Sequence, residues 1–277
     1  MSVSARFFDM KRAGAPIAVL TAYDAPTARL EAEAGVDVLL VGDSVGVNVL
    51  GYASEREVSL ADMVHHVGAV RRGAPRSVVI GDLPFRTYET PAEALASARA
   101  LVAAGADIVK FEGARPDVAG TLRGEGIETC GHLGLEPQTH LAPRVKGRAA
   151  PDALKLLEDA RALDDAGVSL LVLEMIPQEV AREVTRAICA PTIGIGAGGG
   201  TDGQVLVVTD LLGVGEREFR HNRRYQRFGP LALDAFRAYV HDVGRRDFPC
   251  EENAAHMAPE ELEAFLAQAR GLSRAAP

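Results

Sequence analysis

The apolar positions of the chain alternate between two patterns along its length. Short, continuously apolar runs rich in β-branched residues predict eight strands, at residues 17–22, 37–41, 77–82, 107–111, 126–130, 169–174, 191–196 and 204–208. Longer segments with apolar residues at helical spacing predict helices, at residues 24–34, 59–72, 91–104, 116–123, 152–166, 178–188, 231–243 and 259–269. Strands this apolar have no polar face that could be exposed to solvent, so they predict a parallel sheet that is covered by helices.

The regular alternation of strand and helix predicts the architecture. Eight βα units in a chain of 277 residues favour a closed (β/α)8 barrel, the TIM barrel. An open, doubly wound sheet with helices on both faces is the alternative. Because no change of composition marks a linker, we expect residues 1–277 to form a single barrel domain with C-terminal helices.

The composition is that of a globular protein, and the charge narrows the class of ligand. The chain is 47% hydrophobic, and its formal net charge of −8 opposes binding to nucleic acids, so small molecules are the expected partners. No run approaches the ~18 apolar residues of a membrane span, and the first residues lack the apolar stretch of a signal peptide, which favours a cytoplasmic protein. Cys130, Cys189 and Cys250 form no CxxC pair and are expected to be reduced.

Charged and polar residues stand at the ends of several apolar strands, where burial is costly unless the charge is paired or used. In chain order they are Asp43, Asp82, Lys110, Glu112, His132 and Glu174. All strands of a parallel barrel end on one face, and that face carries the chemistry of barrel enzymes. We therefore expect these side chains, from five different strands, to converge at one site.

The residue types of this set indicate a reaction. Carboxylates without a cysteine or a tight histidine pair favour a hard cation, so the set predicts Mg²⁺ rather than zinc. A 2-oxo acid could complete the coordination, and the ion would stabilise the enolate that forms when a base removes the neighbouring proton. Glu174 is the candidate base, and Lys110 is the candidate cation for the substrate carboxylate. Lys110 could instead form a Schiff base, but Glu112 beside it would keep it protonated.

Each of these residues also has a purely structural explanation. An aspartate that follows a strand is often the N-cap of the next helix, which applies to Asp43 and Asp82. Lys110 and Glu112 could form a structural ion pair, and a structural role explains His132 as well as a catalytic one. The shared face favours function for the group, because helix caps do not require a lysine, a histidine and two glutamates in one place.

A collinear series of motifs runs from about residue 21 to residue 210. They are VGDSVG (41–46), LGY (50–52), AVRRGAP (69–75), GDLPF (81–85), VKFEG (109–113), GHLGL (131–135), VLEMIP (172–177), GIGAG (194–198) and TDGQ (201–204). Together they resemble the ketopantoate hydroxymethyltransferase family, also called the 3-methyl-2-oxobutanoate hydroxymethyltransferases.

The resemblance implies a fold, a reaction and an assembly. The implied fold is a (β/α)8 barrel of the phosphoenolpyruvate/pyruvate type. The implied reaction depends on Mg²⁺ and transfers a hydroxymethyl group from 5,10-methylenetetrahydrofolate to 3-methyl-2-oxobutanoate, which gives 2-dehydropantoate for pantothenate biosynthesis. Family members are cytoplasmic homo-oligomers, typically decamers.

The resemblance also implies a role for each matched residue. Asp43 and Ser44 match the pair that binds the keto acid, and Asp43 is also a metal ligand. Asp82 matches the second metal ligand and substrate contact. Lys110 matches the lysine that binds the substrate carboxylate, and Glu112 matches the acidic residue near the metal, which it reaches through water.

Glu174 matches the proton acceptor of the family, which agrees with the role that its chemistry suggests. His132 falls within a family motif, and its role stays open between structure and catalysis. The resemblance therefore adds roles to the same residues that the strand ends single out.

Two segments depart from the family pattern. In residues 136–148, Glu136 stands where the family has threonine, and a glycine pair is missing. In residues 209–228, Thr209 and Asp210 stand where the family has His-Asp, and an arginine-rich run follows at 217–227. That run is expected to be a solvated segment, with a site for the polyglutamate tail of folate as the alternative. The departures leave enolisation better supported than the identity of the acceptor.

Three alternatives to the leading hypothesis remain. A paralogous hydroxymethyltransferase would use the same mechanism on another 2-oxo acid. A C–C lyase or phosphonate mutase of the same superfamily would carry a catalytic-loop cysteine or a further acidic motif, which the sequence lacks. A barrel that binds without catalysis would have no use for a base such as Glu174.

Overall fold

A computed structural model describes residues 2–139, 145–215 and 222–272 of the chain. Eight parallel strands form a closed barrel in the order in which they occur in the sequence. The strands are β1 (Ile17–Thr21), β2 (Val38–Val41), β3 (Val78–Asp82), β4 (Ile108–Lys110), β5 (Glu128–Gly134), β6 (Leu170–Glu174), β7 (Thr192–Ile195) and β8 (Gly203–Leu206). Pairing of β8 with β1 closes the barrel, which confirms the (β/α)8 fold and excludes the open sheet.

The described residues also form ten α-helices. They are α1 (Ala5–Ala13), α2 (Ala25–Glu33), α3 (Leu60–Gly73), α4 (Pro91–Ala104), α5 (Pro116–Gly124), α6 (Ala150–Ala166), α7 (Gln178–Ala187), α8 (Val208–Leu212), α9 (Phe228–Arg245) and α10 (Pro259–Leu272). Short helical turns occupy Gly46–Leu50, Glu55–Glu57 and Glu251–Asn253. No helix of the described residues is long and apolar enough to cross a membrane.

The chain divides into two compact units, Met1–Gln226 and Arg227–Pro277. The first contains the whole barrel, and the second contains α9 and α10. The arginine-rich run predicted at 217–227 lies outside the described residues from 217 to 221, and the departing loop 136–148 lies outside them from 140 to 144.

Three elements differ most from the sequence prediction: the fifth strand and the helices α1 and α8, of which α8 begins at Val208, predicted as the last residue of the eighth strand. The fifth strand was expected at 126–130, but it continues to Gly134 because Gly134 pairs with Glu174 of β6. His132 therefore lies within β5 rather than after it. The N-terminal helix α1 was not predicted, because four of its nine residues are charged and its role depends on contacts far along the chain.

The side chains of the strands alternate between two apolar cores. Along β2, Val38 and Leu40 point into the barrel, whereas Leu39 and Val41 pack under the surrounding helices. This alternation is the period of two that a strand imposes on its side chains. The barrel interior is therefore a packed core, and charged side chains on the inward positions have little access to water.

Helix α1 closes the N-terminal end of the barrel. Phe7 is fully buried and packs in the interior core together with Ile17. Lys11 donates from Nζ to the carbonyls of Thr185 and Ala190, at 2.8 and 3.1 Å, and pairs with Asp202 Oδ2 at 2.9 Å. We call this end, with Phe7, Lys11, Glu128 and Asp202, the floor of the barrel, and the opposite end the mouth.

Candidate active site

Five of the predicted site residues lie on the strands or directly after them and share the inward face. Each lies an even number of positions after an apolar residue of the interior core. Asp82 follows Ile80, Lys110 and Glu112 follow Ile108, His132 follows Cys130, and Glu174 follows Val172. Side chains at this spacing point to the same side of a strand, so the polar side chains also point into the barrel, at its mouth. Asp43 reaches the same region from the loop after β2.

The structure does not support the capping explanation for the two aspartates. The N-cap of α3 is Ser59 and the N-cap of α4 is Thr90, and both form capping boxes. Asp43 and Asp82 are instead buried, at 6% and 1% exposure. Their burial is not explained by helix capping.

Asp82 and Lys110 form a buried ion pair, with Oδ2 and Nζ 2.6 Å apart. Burial opposes the charge of Lys110, but the carboxylates of Asp82, Glu112 and Asp43 outweigh it and raise the pKa of the ammonium group. A lysine held protonated is a poor nucleophile, which disfavours a Schiff base and favours binding of an anion. The second oxygen of Asp82, Oδ1, is buried without a hydrogen-bond partner.

Burial and mutual repulsion destabilise the charged forms of the carboxylates. Burial, and to a smaller extent the charge of Asp82, raises the pKa of Asp43 to about 7. Burial, and to a smaller extent the charge of Asp43, raises the pKa of Glu112 well above its ordinary value. Three buried carboxylates thus share the positive charge of Lys110, and a further cation would stabilise them all.

His132 lies between two glutamates in the barrel interior. Its Nδ1 is 3.5 Å from Glu112 Oε1, and its Nε2 is 3.2 Å from Glu174 Oε2. Neither contact has the alignment of a hydrogen bond, so both ring nitrogens are buried without a hydrogen-bond partner. Close polar contacts that are left unsatisfied are more typical of a reactive site than of a structural histidine.

Glu174 is held at the end of β6 by a tight backbone turn. Its carbonyl accepts a hydrogen bond from the N–H of Leu135, and the next residue, Met175, has a positive φ of 49° and donates to Ile195 O. A Cβ at Gly134 would lie 2.0 Å from Glu174 O, so only glycine fits beside the turn. The Glu174 side chain is 20% exposed, whereas that of His132 is 4% exposed, so Glu174 is within reach of a ligand in the mouth.

Ser44, the predicted substrate contact after Asp43, is paired with a tyrosine. Its Oγ lies 2.8 Å from Tyr23 Oη. Burial raises the pKa of Tyr23 to about 12, so the phenol keeps its proton and can donate to Ser44 or to a ligand. Tyr23 was not predicted from the sequence.

Gln138 and Tyr88 were not predicted as site residues, although Gln138 lies in the segment 136–148 that departs from the family pattern. Gln138 is fully buried, and its Nε2 donates to Asp43 Oδ2 at 2.8 Å. Tyr88 donates from its hydroxyl to Gln138 Oε1. Neither residue is charged or stands at a strand end, so the pattern that identified the other residues does not extend to them.

The donor set fits a hard divalent ion bound with few protein ligands. Among residues 2–139, 145–215 and 222–272, no group of three histidine, cysteine or acidic side chains forms a ready-made metal cage. Mg²⁺ does not require one, because it commonly binds through one or two carboxylates and completes its shell with water and ligand oxygens. Asp43 and Asp82 supply carboxylates, and Asp82 Oδ1 still lacks a partner.

The closed parallel barrel, with buried acidic residues at its mouth, places the chain among the TIM-barrel proteins. The chain is similar to a phosphonopyruvate hydrolase solved in complex with oxalate and Mg²⁺ (TM-score 0.61, 10% identity, covering 98% of this chain and 96% of that one). It is also similar to a 2,3-dimethylmalate lyase of the PEP mutase/isocitrate lyase superfamily (TM-score 0.57, 17% identity, covering 98% and 99%). At these identities the likeness shows the TIM-barrel fold alone.

The sequence comparisons identify the family within that class. A model of the ketopantoate hydroxymethyltransferase family matches residues 2–251, so the chain belongs to this family of enzymes. A 3-methyl-2-oxobutanoate hydroxymethyltransferase of Gluconacetobacter diazotrophicus is 47% identical over 264 residues, covering 93% of this chain and 95% of that one. A relative of the same name from Pyrobaculum arsenaticum is 46% identical over 254 residues, covering 90% and 96%.

Proposed function

We propose that the protein transfers a hydroxymethyl group from 5,10-methylenetetrahydrofolate to 3-methyl-2-oxobutanoate in a Mg²⁺-dependent reaction of pantothenate biosynthesis. The observation that carries the proposal is the convergence of a base, Glu174, with two carboxylates and a charged lysine at one mouth of the barrel. The names of the relatives supply the acceptor and the type of transfer.

The residues of the mouth have distinct roles in binding the 2-oxo acid. Lys110 is protonated and buried, so it binds the substrate carboxylate through a charge-assisted hydrogen bond. Ser44, oriented by Tyr23, donates or accepts a hydrogen bond at the keto acid. Asp43 and Asp82 would hold the Mg²⁺ ion, and Glu112 would act as a further acidic residue near it. When bound, the ion acts as a Lewis acid that stabilises negative charge on the keto oxygen.

Glu174 performs the proton transfer. Its carboxylate accepts the proton from C3 of 3-methyl-2-oxobutanoate, which leaves the enolate of the substrate. The enolate carbon forms the new C–C bond to the methylene carbon of the folate as one of its two C–N bonds breaks. Water then replaces the second folate nitrogen at that carbon and supplies the hydroxyl group, and the protons from C3 and from water go to the two nitrogens. The products are 2-dehydropantoate and tetrahydrofolate, and one water is consumed. His132 Nε2 lies 3.2 Å from Glu174 Oε2, which is close enough for it to take part in proton exchange with the carboxylate.

The first half of this reaction can be tested without folate. We expect exchange of the C3 proton of 3-methyl-2-oxobutanoate with D₂O, followed by NMR, to require Mg²⁺ and to fall at least ~10³-fold in Glu174→Gln. The matched control is Glu183→Gln, an exposed glutamate of α7 whose pair with Arg186 lies on the surface. Exchange without metal, or exchange that survives in Glu174→Gln, would refute the assigned roles.

A different 2-oxo acid is the alternative acceptor. It is favoured by Glu136, which departs from the family pattern and whose Oε1 lies 3.4 Å from Lys146 Nζ in the loop after β5. A panel of 2-oxo acids with 5,10-methylenetetrahydrofolate separates the two, since turnover of another acid but not of 3-methyl-2-oxobutanoate would favour the alternative. A cytoplasmic decamer is proposed on the resemblance alone, and analytical ultracentrifugation would measure the assembly.

A further inference from the structure

Gln138 forms hydrogen bonds with four other residues of the mouth, although the sequence analysis did not predict it as a site residue. Its side-chain nitrogen donates to Asp43 Oδ2 at 2.8 Å and to the carbonyl of Leu83 at 3.0 Å. Its backbone N–H donates to Glu112 Oε2 at 3.1 Å. The residue is fully buried, so these hydrogen bonds do not compete with bulk water.

The orientation of the Gln138 amide is determined by its neighbours. The hydroxyl of Tyr88 donates to Oε1, and the same hydroxyl accepts from the N–H of Glu112 at 3.4 Å. A flipped amide would place its oxygen against Asp43 and Leu83 O, which are both acceptors, and its nitrogen against the hydroxyl of Tyr88. The side chain is therefore fixed with both N–H groups directed at the acceptors.

These contacts join loops that are distant in the sequence. Asp43 follows β2, Leu83 and Tyr88 follow β3, and Glu112 follows β4, whereas Gln138 follows β5. The carboxylates of Asp43 and Glu112 repel each other, since the charge of Asp43 is a cause, after burial, of the raised pKa of Glu112. A neutral donor that contacts both can fix their positions without adding charge.

We propose that Gln138 is a positioning residue that holds Asp43 and Glu112 in the arrangement that binds the divalent ion, with Tyr88 fixing its amide. The inference rests on the proposed function, because it assigns a role in that same metal site. Gln138 contacts carboxylates rather than substrate, so its loss weakens the binding of the metal and the rate of the chemical step together.

The test measures metal binding directly, with Mn²⁺ as the probe. Electron paramagnetic resonance of the full-length protein titrated with Mn²⁺, in the absence of substrate, gives the dissociation constant. We expect Gln138→Met, which keeps the volume but removes the donors, to weaken Mn²⁺ binding by about 10- to 100-fold, the usual effect of removing an outer-shell partner. The kcat should fall by a similar factor, and the KM for the 2-oxo acid at saturating metal should change less.

Two further variants separate positioning from a general effect on the fold. Tyr88→Phe removes only the hydroxyl that orients the amide, and we expect a weakening of about three- to tenfold in the same direction. Gln204→Met is the matched control, because Gln204 Nε2 also donates twice, to Gly198 O and Thr201 Oγ1, but on the exposed side of β8. It should leave the Mn²⁺ dissociation constant unchanged.

The outcomes distinguish failure of the inference from failure of the proposed function. If the wild-type protein binds Mn²⁺ and both Gln138→Met and Tyr88→Phe bind it within twofold of wild type, the positioning role is wrong and the proposed function stands. If the wild-type protein binds no Mn²⁺ at millimolar concentration, the proposed metal dependence itself is wrong, and the inference fails with it. A graded loss from Gln204→Met through Tyr88→Phe to Gln138→Met supports the role.

Discussion

The two ends of the barrel use buried charge in opposite ways. At the floor, Lys11 donates to two carbonyls and pairs with Asp202, whose Oδ2 also accepts from Thr192 N–H. At the mouth, Asp82 Oδ1 and both ring nitrogens of His132 are buried without a hydrogen-bond partner. The charges at the floor are satisfied by hydrogen bonds within the fold, whereas these three polar atoms at the mouth remain available for a ligand.

The ionisation of glutamates shows the same contrast. Burial raises the pKa of Glu128 at the floor, but hydrogen bonds from Ser4, Ser2 and Val3 outweigh burial and lower it below its ordinary value. At the mouth, burial and neighbouring carboxylates raise the pKa of Glu112. The fold is therefore stabilised by a charged Glu128 and destabilised by a charged Glu112.

The largest effect on stability is expected from removing the ion pair between Lys11 and Asp202 at the floor. Lys11→Met leaves Asp202 without its cation, and we expect a loss of about 2–3 kcal/mol in the free energy of unfolding, with kcat of the folded protein unchanged. Urea unfolding followed by circular dichroism measures the loss. Lys155→Met, which breaks the exposed pair with Asp159 on α6, should have no measurable effect. A loss of activity without a loss of stability in Lys11→Met would contradict the contrast between the two ends.

A smaller effect of opposite sign is expected from the mouth. Glu112→Gln removes a carboxylate that is costly to ionise, and the amide oxygen can still accept from Gln138 N–H. With metal removed by EDTA at pH 8, we expect unfolding to require about 1 kcal/mol more free energy than in wild type, while turnover with Mg²⁺ falls at least ~10-fold. If the variant is less stable than wild type and fully active, the role of Glu112 is structural rather than catalytic.

The smallest effect is a difference in pH dependence. Because the folded pKa of Glu128 lies below its ordinary value of 4.5, its stabilisation is present above that pH and disappears as the pH falls further. Glu128→Gln should therefore be less stable than wild type at pH 7, by under about 1 kcal/mol after solvent screening, and equal to it in acid.

Glu112 has a raised pKa, so its cost is absent below its ordinary value and grows as the pH rises. Unfolding of both variants and wild type in EDTA between pH 3 and 8 should give difference curves of opposite slope, below about pH 4.5 for Glu128→Gln and above it for Glu112→Gln. Parallel curves would show that the two ends do not differ in this respect.

The sequence predicts the barrel well because strand and helix periodicity is local. All eight strands occur near their predicted positions, and predicted site residues approach each other at the mouth, as in the pairs Asp82–Lys110 and His132–Glu174. Strand parity alone explains why Lys110 and Glu112 share the inward face. The family resemblance adds the reaction, which no periodicity contains.

The elements that the sequence missed depend on contacts between distant segments. The two glycines in GHLG resemble a turn, but Gly131 is where Leu171 and Leu163 pack closely against β5, so the strand continues. Gln138 is similar: nothing about a neutral residue four positions after a strand indicates that its amide meets Asp43. Such contacts follow from closure of the barrel rather than from local pattern.

The closure of the floor by α1 also has a consequence for the order of folding. Val3 contacts Glu128, and Lys11 contacts Asp202, so the partners of this helix lie 125 and 191 residues further along the chain. Contacts between such distant segments form slowly because long loops must close first. Helix α1 is synthesised before these partners, so it can complete its contact with Asp202 only after β1 to β7 have been synthesised.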